Sequence, residues 1–337
     1  MSAVRVGVIG AGIMGTDHAT LLHGSVSGAT VTAVADVDVD RAGRLAVAVG
    51  AQAFDSGEEL IARGTIDALV VASHDASHAG YTLAAIERGL PVLCEKPLAP
   101  TRAECDAIIA AERGTGRRLV SVGFMRRFDP AYVELKHRID DGSIGRPVMV
   151  TAQSRGVSSA PDATSSSSIT GSAIHEFDAV PWLLSSPIVE VRWFAPESAV
   201  AGMSDPQVMI VRTQDGALAV LETFLNARYG YDIRCEAIGT EGTVQLTDPA
   251  ATTLTGALRA ATTYPANWRP RFADAYRREL QAWVDATRTG VQAPSLATAE
   301  DGLRATLIAE AAISSMLADG APVPVESVDS VDPVETA

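Results

Sequence analysis

Val4-Arg-Val-Gly-Val-Ile-Gly-Ala-Gly-Ile-Met-Gly15 is the stretch of sequence that decides the fold. Val4–Ile9 is a short run rich in β-branched residues, which predicts a buried parallel strand. Gly10-x-Gly12-x-x-Gly15 follows at once, and a helical pattern then continues to Leu22. A glycine-rich turn between a strand and a helix predicts the first βαβ unit of a dinucleotide-binding domain.

The three glycines have separate tasks in such a turn. Gly10 permits the tight turn, Gly12 lets backbone approach a pyrophosphate, and Gly15 lets the helix pack on the strand. The helix N-terminus supplies amide donors and a partial positive charge to the phosphates. The same glycine spacing also occurs in turns that bind no nucleotide, so its context of strand, helix and acid carries the prediction.

An acid at the end of the second strand predicts which cofactor binds. Asp36 closes the strand Val31–Ala35, where a carboxylate accepts hydrogen bonds from the adenosine ribose. Val37 and Asp38 follow it, and Arg41 is the first cation. Because nothing adjacent neutralises a 2′-phosphate, the sequence favours NAD over NADP.

The rest of the chain falls into two patterns. Strands separated by helical segments continue at Ala68–Ala72, Pro91–Cys94 and Leu119–Val122. They predict an α/β Rossmann domain with a doubly wound parallel sheet.

From Arg146 onward, longer strands are joined by turns, at Pro147–Gln153, Ile188–Phe194, Val208–Arg212, Leu218–Leu225, Asp232–Gly239 and Gly242–Leu246. They predict an α+β domain with a large, mainly antiparallel open sheet.

Two domains and a tail are therefore expected. Residues 1–124 form an NAD-binding Rossmann domain, residues 125–325 a domain for substrate binding and oligomerisation, and residues 326–337 a frayed acidic tail. Further helices are expected at Ser172–Leu184, Pro270–Thr289 and Ala297–Ala318. Val157–Thr170 is expected to be a mobile loop.

Composition excludes several classes of partner. The 337-residue chain has a net charge of −14, which argues against binding nucleic acid or an anionic membrane. Its three cysteines have no metal-binding spacing and suggest no disulfide framework, so we expect no metal and a cytoplasmic location. No apolar run approaches the roughly 20 residues of a membrane span.

One lysine is conspicuous. Only two of the 27 basic residues are lysines, Lys96 and Lys136. Lys96 comes just after the apolar run Leu90–Leu93, with Cys94 and Glu95 between them. An ammonium changes its protonation on burial far more readily than a guanidinium, so a lysine chosen here is a candidate for proton chemistry. An ordinary surface lysine at a strand end is the alternative.

Five motifs carry a family resemblance: Gly10-Ala-Gly-Ile-Met-Gly15, Glu95-Lys96-Pro97, Gly123-Phe-Met-Arg-Arg-Phe-Asp-Pro130, Ile174-His-Glu-Phe-Asp178 and Tyr229-Gly-Tyr231. With them the chain resembles the Gfo/Idh/MocA family of sugar and cyclitol oxidoreductases, and within it the inositol 2-dehydrogenase branch. The likeness covers nearly the whole chain. It implies a Rossmann domain plus an α/β domain whose open sheet builds dimers and tetramers.

The resemblance also implies roles for individual residues. Lys96 and His175 match the family's catalytic pair: His175 takes the hydroxyl proton, and Lys96 hydrogen-bonds the same oxygen, with a Lys-Pro bond that is often cis. A buried core histidine is the alternative for His175. The cofactor residues implied are Gly10, Gly12, Ile13, Met14, Gly15, Asp36, Ser73, His78, Glu95 and Lys96. The substrate residues implied are Lys96, Met125, Arg126, Arg155, Gly171, His175 and Tyr231.

Three positions depart from the inositol enzymes. Those enzymes have Asp where this chain has Gly171, four residues before the histidine. They commonly have His-Arg-Asn where this chain has Ser154-Arg155-Gly156. Each lost charge-assisted hydrogen bond is worth roughly 1.5–3 kcal/mol. The substrate pocket is therefore expected to be altered, unless a loop residue such as Asp162 replaces the lost group.

The predicted function is that of an NAD-dependent dehydrogenase acting on a secondary hydroxyl of a cyclitol, sugar or glycoside. The predicted oligomeric state is a homodimer or homotetramer. Two alternatives stay open. One is an NAD-binding regulator that has lost turnover. The other is an enzyme that oxidises a glycoside transiently for elimination or hydrolysis. Retention of Lys96 and His175 argues against the regulator.

Overall fold

The computed structural model describes residues 2–197, 202–247 and 252–328, and the chain divides into two compact units. The first unit contains the chain up to Phe128 together with Asp274–Thr306, and the second contains Asp129–Ala273 and the chain from Leu307 onward. Part of the C-terminal helical region, which the sequence placed with the second domain, thus belongs to the first unit. The expected acidic tail lies outside the described residues from position 329 onward. None of the described helices is both long and apolar enough to span a bilayer.

The described part of the first unit holds a parallel sheet in the order β3-β2-β1-β4-β5-β6. Its strands are β1 Val4–Ile9, β2 Ala29–Ala35, β3 Gln52–Phe54, β4 Ala68–Val71, β5 Val92–Cys94 and β6 Val120–Val122. Its intervening helices are α1 Ile13–Gly24, α2 Val39–Val49, α3 Gly57–Arg63, α4 His78–Glu87 and α5 Arg102–Gly114. The predicted doubly wound Rossmann sheet is confirmed, and the short β3 was not predicted.

Two glycines in the first turn are required by sterics. Gly10 has φ +96°, and a Cβ there would overlap the carbonyl of Ala72. A Cβ on Gly15 would overlap the carbonyl oxygen of Gly10. Glycine at both positions lets α1 start directly at the end of β1, as the sequence predicted.

The second unit has a mixed, mostly antiparallel sheet, also as predicted. Its strands are β7 Pro147–Arg155, β8 Ile188–Phe194, β9 Gln207–Thr213, β10 Leu218–Phe224, β11 Asp232–Gly239, β12 Thr243–Gln245 and β15 Val323–Pro324, and a separate hairpin joins β13 Thr253–Gly256 to β14 Arg259–Thr262. The order is β12-β11-β7-β10-β9-β8-β15, and among the described strands of this sheet only β7 and β10 pair in parallel. The later helices are α6 Pro130–Asp140, α7 Ser165–Ser168, α8 Ile174–Leu184, α9 Trp268–Thr289 and α10 Ala299–Leu317.

The segment before α8 differs from its prediction. Val157–Thr170 was predicted as a loop, which is wrong for its last residues because Ser165–Ser168 form α7. Thr164 caps that helix: its Oγ1 accepts from the Ser167 amide at 3.0 Å, and the Ser167 hydroxyl accepts from the Thr164 amide at 2.7 Å. A π-helical turn at Ile169–Ala173 then leads directly into α8.

Candidate active site

The residues predicted to bind the cofactor gather at the carboxyl edge of the first unit's sheet. The glycine turn follows β1, Asp36 follows β2, Ser73 follows β4, and Glu95-Lys96 follows β5. Strand order reverses between β1 and β4, and ligands of doubly wound sheets bind at the carboxyl ends beside such a reversal. The sequence motifs therefore meet at the one edge where this fold places a nucleotide.

The geometry of the first turn fits a dinucleotide. A Cβ built on Gly12 would meet no atom within 4 Å, so backbone there is open to close approach. The first turn of α1 carries no acid that would compete for its positive end, and Ile13 is 55% exposed there. Residues with these properties suit a pyrophosphate lying against the helix N-terminus.

Asp36 also organises this turn. Its Oδ2 accepts a hydrogen bond from the Ala11 amide at 2.6 Å, and its Oδ1 accepts one from the Asp38 amide at 2.8 Å. Arg41 Nη2 lies 3.4 Å from the same Oδ1. A carboxylate oxygen has more than one acceptor site, so Asp36 can hold the glycine turn and still accept a ribose hydroxyl.

Lys96 stands out by its exposure. It is half-buried, whereas Cys94, Glu95 and Pro97 around it are buried. The Lys96–Pro97 peptide is cis, as the family resemblance implied. In a turn that otherwise faces the interior, Lys96 is thus the side chain that reaches the surface of the unit.

A buried pair beneath this turn was not predicted. His18 of α1 places Nε2 2.7 Å from Glu95 Oε1, and the Lys96 amide donates to Glu95 Oε2 at 3.2 Å. Burial alone would raise the pKa of the Glu95 carboxyl, but the hydrogen bond and charge of His18, with smaller effects from Lys96, lower it below its ordinary value. The sequence signal was a histidine one turn after Gly15, on the face of α1 that packs on the sheet.

His78, predicted at the cofactor, is committed to the protein instead. It is 1% exposed; its Nδ1 lies 2.7 Å from the Pro97 carbonyl oxygen and its Nε2 lies 3.1 Å from that of Ser73. The Ser73 hydroxyl is itself 2.7 Å from the Ser77 hydroxyl. Both residues therefore shape the loops that follow β4 and β5.

The Gly123–Pro130 motif is mostly buried. Met125 and Arg126, predicted to touch substrate, are each 2% exposed, and Arg127 pairs with Asp301 at 3.2 Å. Asp129 caps α6 by accepting from the Tyr132 amide, and it forms two hydrogen bonds with Arg271, at 2.6 and 3.2 Å.

In the second unit, α8 presents His175 half-buried between the buried Ile174 and Glu176. Glu176 was not predicted to matter, yet the Ser154 hydroxyl of β7 donates to its Oε1 at 2.6 Å, and both residues are buried. Gly171 lies in the π-helical turn, and a Cβ there would meet no atom within 4 Å. π-helical turns are rare and often occur at functional sites.

Arg155 and Tyr231, which were also predicted to bind substrate, have other partners within the second unit. Arg155 follows Ser154 in β7, so it points to the opposite face of the sheet, where its guanidinium binds Glu222 at 2.6 and 2.8 Å. Tyr231 packs edge-on against Phe272, with ring centroids 6.4 Å apart. The strand thus directs Ser154, and not Arg155, toward the helix of His175.

Comparisons with known proteins agree with this geometry. The family model described as "Oxidoreductase family, NAD-binding Rossmann fold" matches residues 4–124, and "GFO/IDH/MocA C-terminal domain" matches residues 132–245. The chain is 48% identical to inositol 2-dehydrogenase 2 of Paenarthrobacter aurescens, over 94% of this chain and 97% of that protein. It is 41% identical to inositol 2-dehydrogenase of Klebsiella pneumoniae, over 96% of each chain. The crystal structure of Lactobacillus casei myo-inositol dehydrogenase with NAD(H) and myo-inositol superposes with a TM-score of 0.93 at 30% identity, covering 98% of this chain and 99% of that one.

Proposed function

We propose a function from the premise that the chain belongs to the Gfo/Idh/MocA family of NAD-binding oxidoreductases. It is an NAD-dependent oxidoreductase that acts on CH–OH groups, and its relatives place it with the cyclitol dehydrogenases. The observation that carries the proposal is the half-exposed Lys96, held by Glu95 at the same sheet edge as the dinucleotide turn.

The proposed mechanism assigns one task to each residue. NAD, when bound, supplies the acceptor for the hydride. Lys96 Nζ donates a hydrogen bond to the substrate oxygen and stabilises it as it becomes an alkoxide. The His175 imidazole takes the proton from that hydroxyl, because a neutral imidazole is a suitable base near neutral pH. Asp36 holds the adenosine ribose, and the N-terminus of α1 holds the pyrophosphate.

The proposed substrate is a cyclitol or a related sugar or glycoside, taken by a pocket that differs from that of the inositol enzymes. Two features support this. Gly171 leaves open space where those enzymes carry a carboxylate, and the Ser154 hydroxyl is engaged by Glu176. Fewer charged groups and more room favour a substrate larger or less polar than free inositol. The relatives do not favour a regulator or a transient-oxidation enzyme.

The test is a panel of cyclitols, sugars and glycosides incubated with NAD and followed by NADH absorbance, with Lys96→Ala as the control for background turnover. We expect net NADH release with at least one compound, and a better kcat/KM for a substituted cyclitol or glycoside than for myo-inositol. A glycoside consumed without net NADH would contradict the dehydrogenase assignment. Efficient oxidation of myo-inositol above all others would contradict the altered pocket.

We also propose that the chain forms a homo-oligomer through the open face of the second sheet. Alternate residues of β7, β9 and β10 are half-buried or exposed on this face, and six of them are apolar: Met149, Val208, Ile210, Leu218, Val220 and Phe224. The residues between them, such as Ala219 and Leu221, are fully buried. Six apolar side chains on one sheet face, beside the Arg155–Glu222 ion pair, suit contact with a second copy of the chain.

Oligomerisation is testable by light scattering after size-exclusion chromatography. Val220 and Ile210 pair directly across β10 and β9, so Val220→Arg should produce a smaller species. Val47→Arg, at an 84% exposed site on α2, is the matched control. If Val220→Arg keeps the native mass, this face is not the interface.

We further propose a cytoplasmic location, supported by three cysteines that are all buried free thiols.

A further inference from the structure

His78 places both ring nitrogens against backbone carbonyl oxygens. Its Nδ1 lies 2.7 Å from the carbonyl oxygen of Pro97, and its Nε2 lies 3.1 Å from the carbonyl oxygen of Ser73. A carbonyl oxygen only accepts hydrogen bonds, so each ring nitrogen must carry a proton to make its contact. A ring with both nitrogens protonated is an imidazolium cation.

The surroundings of His78 favour the cation despite its burial. Burial lowers the pKa of the imidazole, but the Cys94 sulfur, the Pro97 carbonyl and the Asp75 carboxylate raise it, with the net effect that the pKa rises to about 10. Cys94 lies on β5, and Asp75 lies in the short helical turn before α4. These are the titratable groups that act on the ring from the elements around it.

The two carbonyls belong to neighbouring loops. Ser73 follows β4 and Pro97 follows β5, and these strands are adjacent and parallel. Pro97 also follows Lys96 directly, while the Lys96 amide is held from the other side by Glu95 Oε2. The backbone that carries Lys96 is therefore fixed at both ends, by Glu95 before it and by His78 after it.

We propose that His78 is a positioning residue for Lys96, acting as a doubly protonated tie between the loops after β4 and β5. The proposal rests on the proposed role of Lys96 in the reaction. His78 touches neither substrate nor cofactor in this assignment, which replaces the cofactor contact expected from the sequence. Its loss lets the Lys96 turn drift, and a displacement of about 1 Å can cost about 10²-fold in rate.

Kinetic measurements can distinguish a positioning role of His78 from a role in binding the cofactor. His78→Phe keeps a planar ring but removes both donors, and it should lower kcat by up to about 10²-fold while the Kd for NAD stays within a few-fold. His78→Gln retains a donor for one carbonyl and should fall between wild type and His78→Phe. A weaker NAD affinity with unchanged kcat at saturation would instead assign His78 to the cofactor.

A double variant tests whether the effect passes through Lys96. In a Lys96→Ala background, His78→Phe should produce little further loss of kcat, because the group it positions is already absent. Thr82→Val is the matched control, since Thr82 is a buried residue one turn along α4 whose hydroxyl has no partner among the described residues. It should leave kcat unchanged. Additive losses in the double variant would overturn the proposal.

The protonation state is measured without turnover, so its result is independent of the proposed function. In protein with ¹⁵N-labelled histidine, both ring nitrogens of His78 should carry protons at about pH 8, above the ordinary histidine pKa. Comparison with His78→Gln identifies the signals. One protonated and one bare nitrogen at that pH would overturn the imidazolium tie. Suppose that both ring nitrogens of His78 are protonated and that NAD binds, but that no substrate is turned over. The proposed function is then wrong, and the proposed tie through His78 still stands.

Discussion

Nε2 of His18 lies 2.7 Å from Oε1 of Glu95, and both side chains are buried inside the first unit. Glu95 Oε2 accepts a hydrogen bond from the Lys96 amide. The His18 ring packs edge-on against the Tyr276 ring, with ring centroids 5.8 Å apart. Helix α1, whose N-terminus is the proposed pyrophosphate site, is therefore bonded to the turn that carries Lys96. One buried pair joins the proposed cofactor site to the proposed catalytic site.

Removal of His18 should destabilise the fold. His18→Ala leaves a buried carboxylate without its partner, a change that typically costs about 3–5 kcal/mol. His18→Gln, which retains a donor, should cost much less. Urea unfolding at fixed protein concentration without NAD measures both, since bound cofactor would mask the difference. A cost below about 1 kcal/mol for His18→Ala would show that the pair contributes little.

The contribution of Glu95 to the stability of the fold should fall as the pH becomes acid. The pKa of its carboxyl is lowered in the folded protein, so its contribution is present above the ordinary pKa of about 4.5 and is lost as pH falls through the lower folded value. The Tm difference between wild type and Glu95→Gln should therefore shrink as pH falls through this window. A difference that stays constant from neutral to acid pH would contradict the assignment.

Asp36 should set the preference for NAD, and its removal should relax that preference. Asp36→Ala removes the repulsion of a 2′-phosphate and frees Arg41, now 3.4 Å from the carboxylate, to bind that phosphate. We expect the ratio of kcat/KM for NAD to that for NADP to fall by about 10- to 10²-fold. NAD affinity should fall as well, since Asp36 also holds the Ala11 amide. Asp38→Ala, which keeps Asp36, is the control.

Lys96 and His175 should both be needed for turnover. Lys96→Ala and His175→Ala should each lower kcat by about 10²-fold or more, with NAD affinity largely retained. Lys96→Arg should not restore activity, because a guanidinium is larger, forked and permanently charged. Steady-state kinetics on the substrate found in the panel measures this. Near-wild-type turnover of either alanine variant would remove that residue from the mechanism, and an active Lys96→Arg would show that a guanidinium can replace the ammonium.

Gly171 should control the use of inositol. Its site has room for a side chain, so Gly171→Asp should restore the carboxylate and raise kcat/KM for myo-inositol by about 10-fold or more. Gly171→Ala is the control: it should add up to about 1 kcal/mol of stability without that gain. Adding Ser154→His removes the bond to Glu176, so it should cost stability. No gain with Gly171→Asp would mean that another group already replaces the carboxylate.

Features encoded by local sequence were predictable. Gly10 and Gly15 stand where any side chain would overlap backbone, and Asp36 follows a strand of β-branched residues, so the spacing and its context of strand, helix and acid predicted this turn. Strands β7 to β12 of the second sheet followed from long runs joined by turns, whereas β15 was not predicted. The loop before α8 was mispredicted because serine is a weak helix former, and only the reciprocal Thr164–Ser167 cap shows where α7 begins.

Features that depend on distant contacts were not predictable. His18 and Glu95 are 77 residues apart, and no periodicity links them. His78 matched a cofactor position by resemblance, yet which carbonyls surround it depends on how the loops after β4 and β5 close. The grouping of residues 274–306 with the first unit likewise depends on packing across most of the chain.

The π-helical turn at Ile169–Ala173 gives this segment a point at which its length can change. A π-type hydrogen bond spans one residue more than an α-type bond, so Ser165–Leu184 contains one residue more than an uninterrupted α-helix of the same extent needs. Deletion of Gly171 would join α7 to α8 in a single register and leave the sequence of α8 intact. A one-residue deletion in this turn should therefore disrupt the helix less than one inside α8. Chain length, as well as side-chain identity, is thus a means by which descendants of this protein can reshape what His175 meets.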